Sequence, residues 1–75
     1  MSKLPAITSS ELVRVVKKFG FVEQRQKGSH LHLKRDSDKR RVTIPIHKGR
    51  DIPKGTLTAI LKDAGISIEE FLDEL

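Results

Sequence analysis

The chain has 75 residues, 33% of them charged, a net charge of +5 and no cysteine. That length makes one small domain with a thin core. Without cysteine neither a disulfide nor a thiolate metal site can staple it, which leaves oligomerisation or a protein partner as the source of extra stability. No apolar run is long enough to cross a membrane and no signal-like stretch follows the N-terminus, so the expected location is cytoplasmic.

Residues 1 to 7 carry Pro5 and no periodicity, and read as a loose leader. Thr8-Ser9-Ser10-Glu11 fits a capping box with Thr8 as the N-cap. Leu12, Val15, Val16 and Phe19 then recur at helical spacing, Lys17 and Lys18 suit the last turn, and Gly20 stands where a helix is capped, which predicts a helix over about 9 to 19. Residues 21 to 27 read as a strand, and Gly28-Ser29 as a short turn. The next strand, His30-Leu31-His32-Leu33-Lys34, alternates strictly. Its leucines belong on the core side, and His30, His32 and Lys34 on one outer line. Asp36-Ser37-Asp38-Lys39 closes a hairpin into Arg41-Val42-Thr43-Ile44-Pro45-Ile46, with Val42, Ile44 and Ile46 inward. Pro45 cannot donate to a ladder and belongs at a strand end or edge.

A loop from His47 to Pro53 leads to a second helix over about 54 to 64, with Leu57, Ile60, Leu61 and Ala64 as its buried stripe and Gly65 at its end. Ser67-Ile68-Glu69-Glu70 repeats the capping-box pattern and opens a short acidic helix. The expected class is α+β, ordered α-β-β-β-α like the double-stranded-RNA-binding domain. Three antiparallel strands carry two helices on one face, plus a short C-terminal helix. The whole chain reads as a single domain, with residues 67 to 75 as an added element that either completes the core or helps to form a partner interface.

Charge is unevenly placed. Residues 1 to 50 hold 13 Lys and Arg against 4 Asp and Glu, while residues 51 to 75 hold 2 against 6. Arg25, Lys27, Lys34, Arg35, Lys39, Arg40, Arg41, Lys48 and Arg50 cluster in the sheet region. Such a surface neutralises phosphates without reading sequence. There is no Trp or Tyr, and the three Phe look like core, so base stacking is poorly provided for.

His30 is the first candidate for proton transfer, because imidazole both takes and gives a proton near neutral pH. Gly28 before it permits close approach of a ligand backbone, and the Ser29 hydroxyl can donate to a phosphate. His32 shares the face two residues on and either assists or is simply solvated. His47, beside Lys48 and Arg50, is a second proton-transfer group, a phosphate contact or an ordinary loop residue. The three histidines lack a fourth ligand and a carboxylate second shell, so no metal and no other cofactor is expected. No Gly-x-Ser-x-Gly elbow supports a nucleophilic serine.

Arg25-Gln26-Lys27-Gly28-Ser29-His30, the block from Val42 to Pro53 and the block from Lys54 to Lys62 together resemble the HicA family of bacterial and archaeal toxin–antitoxin systems. The resemblance reaches to about Ile66. It implies a double-stranded-RNA-binding-like fold and a ribonuclease acting on messenger RNA, with His30 as the catalytic histidine of the Gly-Ser-His motif. It also implies a HicB-like antitoxin as protein partner, with an oligomer in that complex an open option. Leu31 departs from the histidine or polar residue that many relatives carry, and the acidic helix after Gly65 departs from many of them too. On this reading Arg25, Lys27, Gly28, His32, Lys34, Arg41 and Lys48 contact RNA, while Ser29 and His47 are auxiliary. The rival readings are a non-catalytic RNA-binding module and an interaction protein whose tail docks a partner.

Overall fold

A computed structural model describes residues 4–75. Its elements are α1 (Ser9–Lys18), β1 (Val22–Lys27), β2 (His30–Arg35), β3 (Arg40–Pro45), α2 (Lys54–Ala64) and α3 (Ile68–Asp73). The strands form one antiparallel sheet in the order β1-β2-β3. α1 and α2 cover one face of it through a core that includes Leu12, Val16, Leu31, Leu33, Val42, Ile44, Leu57 and Leu61. The other face stays open.

Both capping boxes form. Thr8 Oγ1 accepts from the Glu11 N–H at 3.2 Å, and Glu11 Oε1 accepts from the Thr8 N–H at 3.0 Å. Ser67 and Glu70 repeat the pair at 3.0 and 2.9 Å. Each reciprocal pair satisfies N–H groups that a helix start leaves without partners.

The leader expected over residues 1 to 7 is corrected in its described part; residues 1 to 3 lie outside the described residues. Leu4 and Ile7 are core residues, Ile7 only 1% exposed. The Ile7 carbonyl accepts the Ile52 N–H at 2.7 Å, and Thr8 bridges Asp51. Two apolar side chains and a backbone bond thus tie this segment down, which a search for periodicity misses in so short a stretch. Ile46 falls just past β3 and is half-buried, packed against the core. The terminal helix adds one residue to the core: Phe71 is 0% exposed, and Lys18 Nζ donates to the Glu74 carbonyl at 3.2 Å, fastening α3 to the end of α1.

At the β2–β3 turn, Arg35 joins three elements. Its Nη1 donates to the Phe19 carbonyl at 2.8 Å and its Nη2 to the Ala64 carbonyl at 3.1 Å, at the C-terminal ends of α1 and α2. Asp38 accepts from Nε and Nη2 at 3.1 and 2.7 Å, and the guanidinium lies 4.7 Å from the centroid of the Phe21 ring. Gly20, at φ +94, makes room for this arrangement, because a Cβ there would meet Arg35 Cδ at 3.2 Å. Arg40 adds a bond from Nη1 to the Asp63 carbonyl at 3.0 Å and an ion pair to Asp38 at 3.2 Å. A cation at a helix C-terminus also opposes the negative end of the helix dipole. Arg35 and Arg40 are therefore both bound within the fold at this turn.

The Arg35 guanidinium holds the Asp38 carboxyl down at about 2. An unfolded Asp titrates near ~3.9, so the contribution of Asp38 to stability is complete above about pH 4 and is lost as pH falls through the folded value. Hydrogen bonds to Thr8 and Ser67 lower Glu11 and Glu70 in the same direction. Urea unfolding midpoints should accordingly fall between about pH 4 and pH 2. Asp38→Asn should flatten that fall, and a variant with the wild-type pH slope would remove Asp38 from the explanation.

Candidate functional site

The open face is built by β2. Directly paired residues in neighbouring strands share a face. His30 lies between Lys27 and Pro45, His32 between Arg25 and Thr43, and Lys34 between Val22 and Arg41. Leu31 and Leu33 are buried on the opposite side, as the alternation requires. The outer line of His30, His32 and Lys34 is thus present, and its flanks bring Arg25, Lys27 and Arg41 to it.

β1 reaches this arrangement through an irregularity. Phe21 is buried, and strict alternation from it would send Glu23, Arg25 and Lys27 all toward the helices. Glu23 does go there, pairing with Leu33 and making an ion pair with Lys17 of α1. The register then shifts between Glu23 and Arg25. Gln24 is the extra residue of a bulge, and such a residue switches the facing of the residues after it. Arg25 and Lys27 consequently land on the open face beside His32 and His30. β1 is exposed along its whole length, with Val22 at 61%.

His30 opens β2 and is exposed. The turn before it depends on Gly28, at φ +60, where an added Cβ would meet nothing within 4 Å. The backbone is therefore open to a ligand there. Ser29 is half-buried, and its carbonyl accepts the Ile46 N–H at 2.6 Å, which ties the turn to the end of β3. His32 Nδ1 lies 3.0 Å from Thr43 Oγ1, so one ring nitrogen is engaged. Lys34 stands 3.5 Å from Asp36.

His47 and Lys48 follow the end of β3 in an exposed loop turned at Gly49, where the Arg50 N–H donates to the His47 carbonyl at 3.2 Å. His47 lies two residues past Pro45, the partner of His30, and lines a recess with Pro45, Arg50, Asp51, Pro53 and Thr56. The site therefore divides into a sheet group around His30 and a loop group around His47.

Sequence reasoning missed Gln24 and Thr43. Thr43 was legible in principle, since it alternates with Val42 and Ile44 and faces the same way as His32. No residue type marks the bulge at Gln24. Among the described residues no group of three His, Cys, Asp or Glu is placed to hold a metal ion, and no helix is long and apolar enough to cross a membrane.

The arrangement offers an exposed imidazole on a rigid strand, a turn open to a ligand backbone, and cations on both flanks. It can move a proton at a phosphate ester and neutralise the charge that develops there. A comparison with curated proteins finds no match. A comparison with protein families matches residues 9–66 to the HicA toxin of bacterial toxin–antitoxin systems, a stretch that runs from the first helix through the Gly28-Ser29-His30 turn to the end of α2 and just beyond. With most of its length and the whole of this surface inside that match, the chain belongs to the HicA toxin family.

Proposed function

We propose that this toxin is an endoribonuclease that cuts messenger RNA by attack of a ribose 2′-OH on the adjacent phosphate. His30 takes the 2′-OH proton, O2′ bonds to phosphorus, and the P–O5′ bond breaks. The departing O5′ takes a proton from His47 or from water. The products are a 2′,3′-cyclic phosphate and a 5′-hydroxyl. Lys27, with Lys34, Arg41 or Lys48, offsets the extra charge on the phosphoryl oxygens. Ser29 supplies a hydrogen bond beside the reacting phosphate. No bound metal enters these steps. The observation that carries this reading is the exposure of His30 directly beside Lys27, at a turn whose Gly28 leaves the approach clear.

A toxin of this kind is tolerable to its cell only when something covers the active face. The partner is accordingly a HicB-like antitoxin whose acidic surface meets the basic one, since charge pairing speeds encounter and selects the partner. Binding only the folded toxin, it also adds the stability that a small domain lacks. The pair acts in the cytoplasm, where messenger RNA is found. The chain works as one domain, with Phe71 of α3 in its core.

Incubating the purified chain with end-labelled RNA, with and without EDTA, tests the reading. Cleavage should persist in EDTA, leave cyclic phosphate ends, and stop when the ribose at the cut is replaced by 2′-deoxyribose. Cleavage of the deoxy substrate would rule out the 2′-OH as nucleophile. Tight RNA binding without any cleavage would make the chain a binding module instead. RNA affinity should fall linearly with salt on logarithmic axes, by a slope of about 0.7 for each phosphate neutralised. An affinity that ignores salt would exclude a phosphate-reading surface.

A further inference from the structure

A pocket of about 380 Å³ lies on the open face, beside His30 and not around it. Its walls are Gln24, Arg25, His32, Lys34, Arg41 and Thr43. Its floor is the strand backbone of Leu33 and Val42, whose side chains are buried on the other side. Three cations from three strands therefore converge on one concavity. Lys34 has the exposed Asp36 at 3.5 Å. Arg25 and Arg41 take part in none of the ion pairs found among the described residues, whereas Arg35 and Arg40 are both bound to Asp38.

The bulge makes this pocket. Without it Arg25 would face α1, and the pocket would lose one of its two guanidinium groups. The bond from His32 to Thr43 holds the imidazole against one wall, with its other ring nitrogen available. Two planar guanidinium forks and an ammonium match a tetrahedral oxyanion with several acceptors. No Phe, Tyr or Trp lines the pocket, so the large rings that single-strand binders use to stack bases are absent from it. Along β2, His32 lies two residues from His30, about 6.6 Å. That is about the span of one ribose–phosphate repeat.

We propose that this pocket is a second phosphate subsite, which takes the phosphodiester next to the one at His30 and so lays the RNA strand along β2 from His30 toward Lys34. The identity of the neighbouring phosphate as the scissile one rests on the ribonuclease reading; the binding does not.

The test uses the full chain, labelled with ¹⁵N, and two ligands whose nucleophile is blocked: the 2′-O-methyl uridine dinucleotide, with one phosphate, and the trinucleotide, with two. The trinucleotide should bind about tenfold more tightly at low salt, with a salt slope steeper by about 0.7. Only it should shift the signals of Arg25, His32 and Arg41 together with that of His30 at saturation. In the Arg25→Gln, Arg41→Gln double variant its affinity should fall to within about threefold of the dinucleotide's. Equal weakening of both ligands by the double variant would show a diffuse field instead of a subsite and overturn the proposal. A tetraglutamate peptide that moves the same signals at equal affinity would also overturn it, in favour of an acidic protein ligand. The wild-type spectra decide independently of the variants: a trinucleotide that leaves Arg25, His32 and Arg41 unshifted refutes the subsite. If RNA is never cut but the trinucleotide binds as described, the ribonuclease reading falls and the subsite stands.

Discussion

Replacing His30 with alanine is expected to slow RNA cleavage by roughly 10²- to 10⁴-fold, the usual worth of a positioned proton-transfer group. The fold should be unaffected. His30 is exposed at the first position of β2, its side chain contributes nothing to the core, and its backbone pairing with Lys27 and Pro45 does not depend on the imidazole. The measurement is a single-turnover time course with excess protein, beside a thermal melt of the same sample. Retained cleavage in a folded His30→Ala protein would move the chemistry elsewhere on the surface, and His47 would be the first place to look. Loss of cleavage together with loss of the melt would mean that His30 has a structural role, against its exposure.

Arg35→Ala should be the most damaging single change outside the core, at about 3 kcal/mol, the sum of a lost charge-assisted pair and two unsatisfied carbonyls. The Arg35 side chain is only 19% exposed, so water restores little of what it loses. For a domain of this size the melting temperature should drop by roughly 12 to 24 °C. Arg35→Lys keeps the charge, but an ammonium cannot reach the Phe19 and Ala64 carbonyls while bridging both oxygens of Asp38. It should recover less than half of the loss. A lysine variant as stable as wild type would show that charge alone matters at this junction. Activity per folded molecule should stay near wild type in both variants.

Much of the fold was legible because the apolar positions repeat at clean spacings. Leu12, Val15 and Val16 mark α1, Leu31 and Leu33 mark β2, and Leu57, Ile60, Leu61 and Ala64 mark α2; every one of them is buried. The two capping boxes fixed helix starts through pairings local in sequence. What could not be read depends on contacts distant in sequence. Leu4 and Ile7 have no period to betray their burial, and the backbone bond that ties down Ile7 comes from Ile52, far along the chain. Arg35 and Arg40 look like any other cations until α1 and α2 bring their carbonyl ends to the hairpin. The outer line of His30, His32 and Lys34 followed from alternation within one strand. The company of Arg25 and Lys27 did not, because a bulge reverses facing without a characteristic residue.

Arg35 and His30 stand at opposite ends of a single strand, five residues or about 17 Å apart. Sites so far apart with no shared partner contribute to free energy almost independently. On the proposed function, one end of β2 therefore governs how long the molecule survives, and the other governs what it does to RNA. A lesion at His30 should then leave a durable but harmless copy that still presents its folded surface to whatever recognises it. A lesion at Arg35 leaves a competent but short-lived one. The two kinds of loss are open to separate correction, since a change that restores packing near the hairpin has no reason to disturb the turn at Gly28.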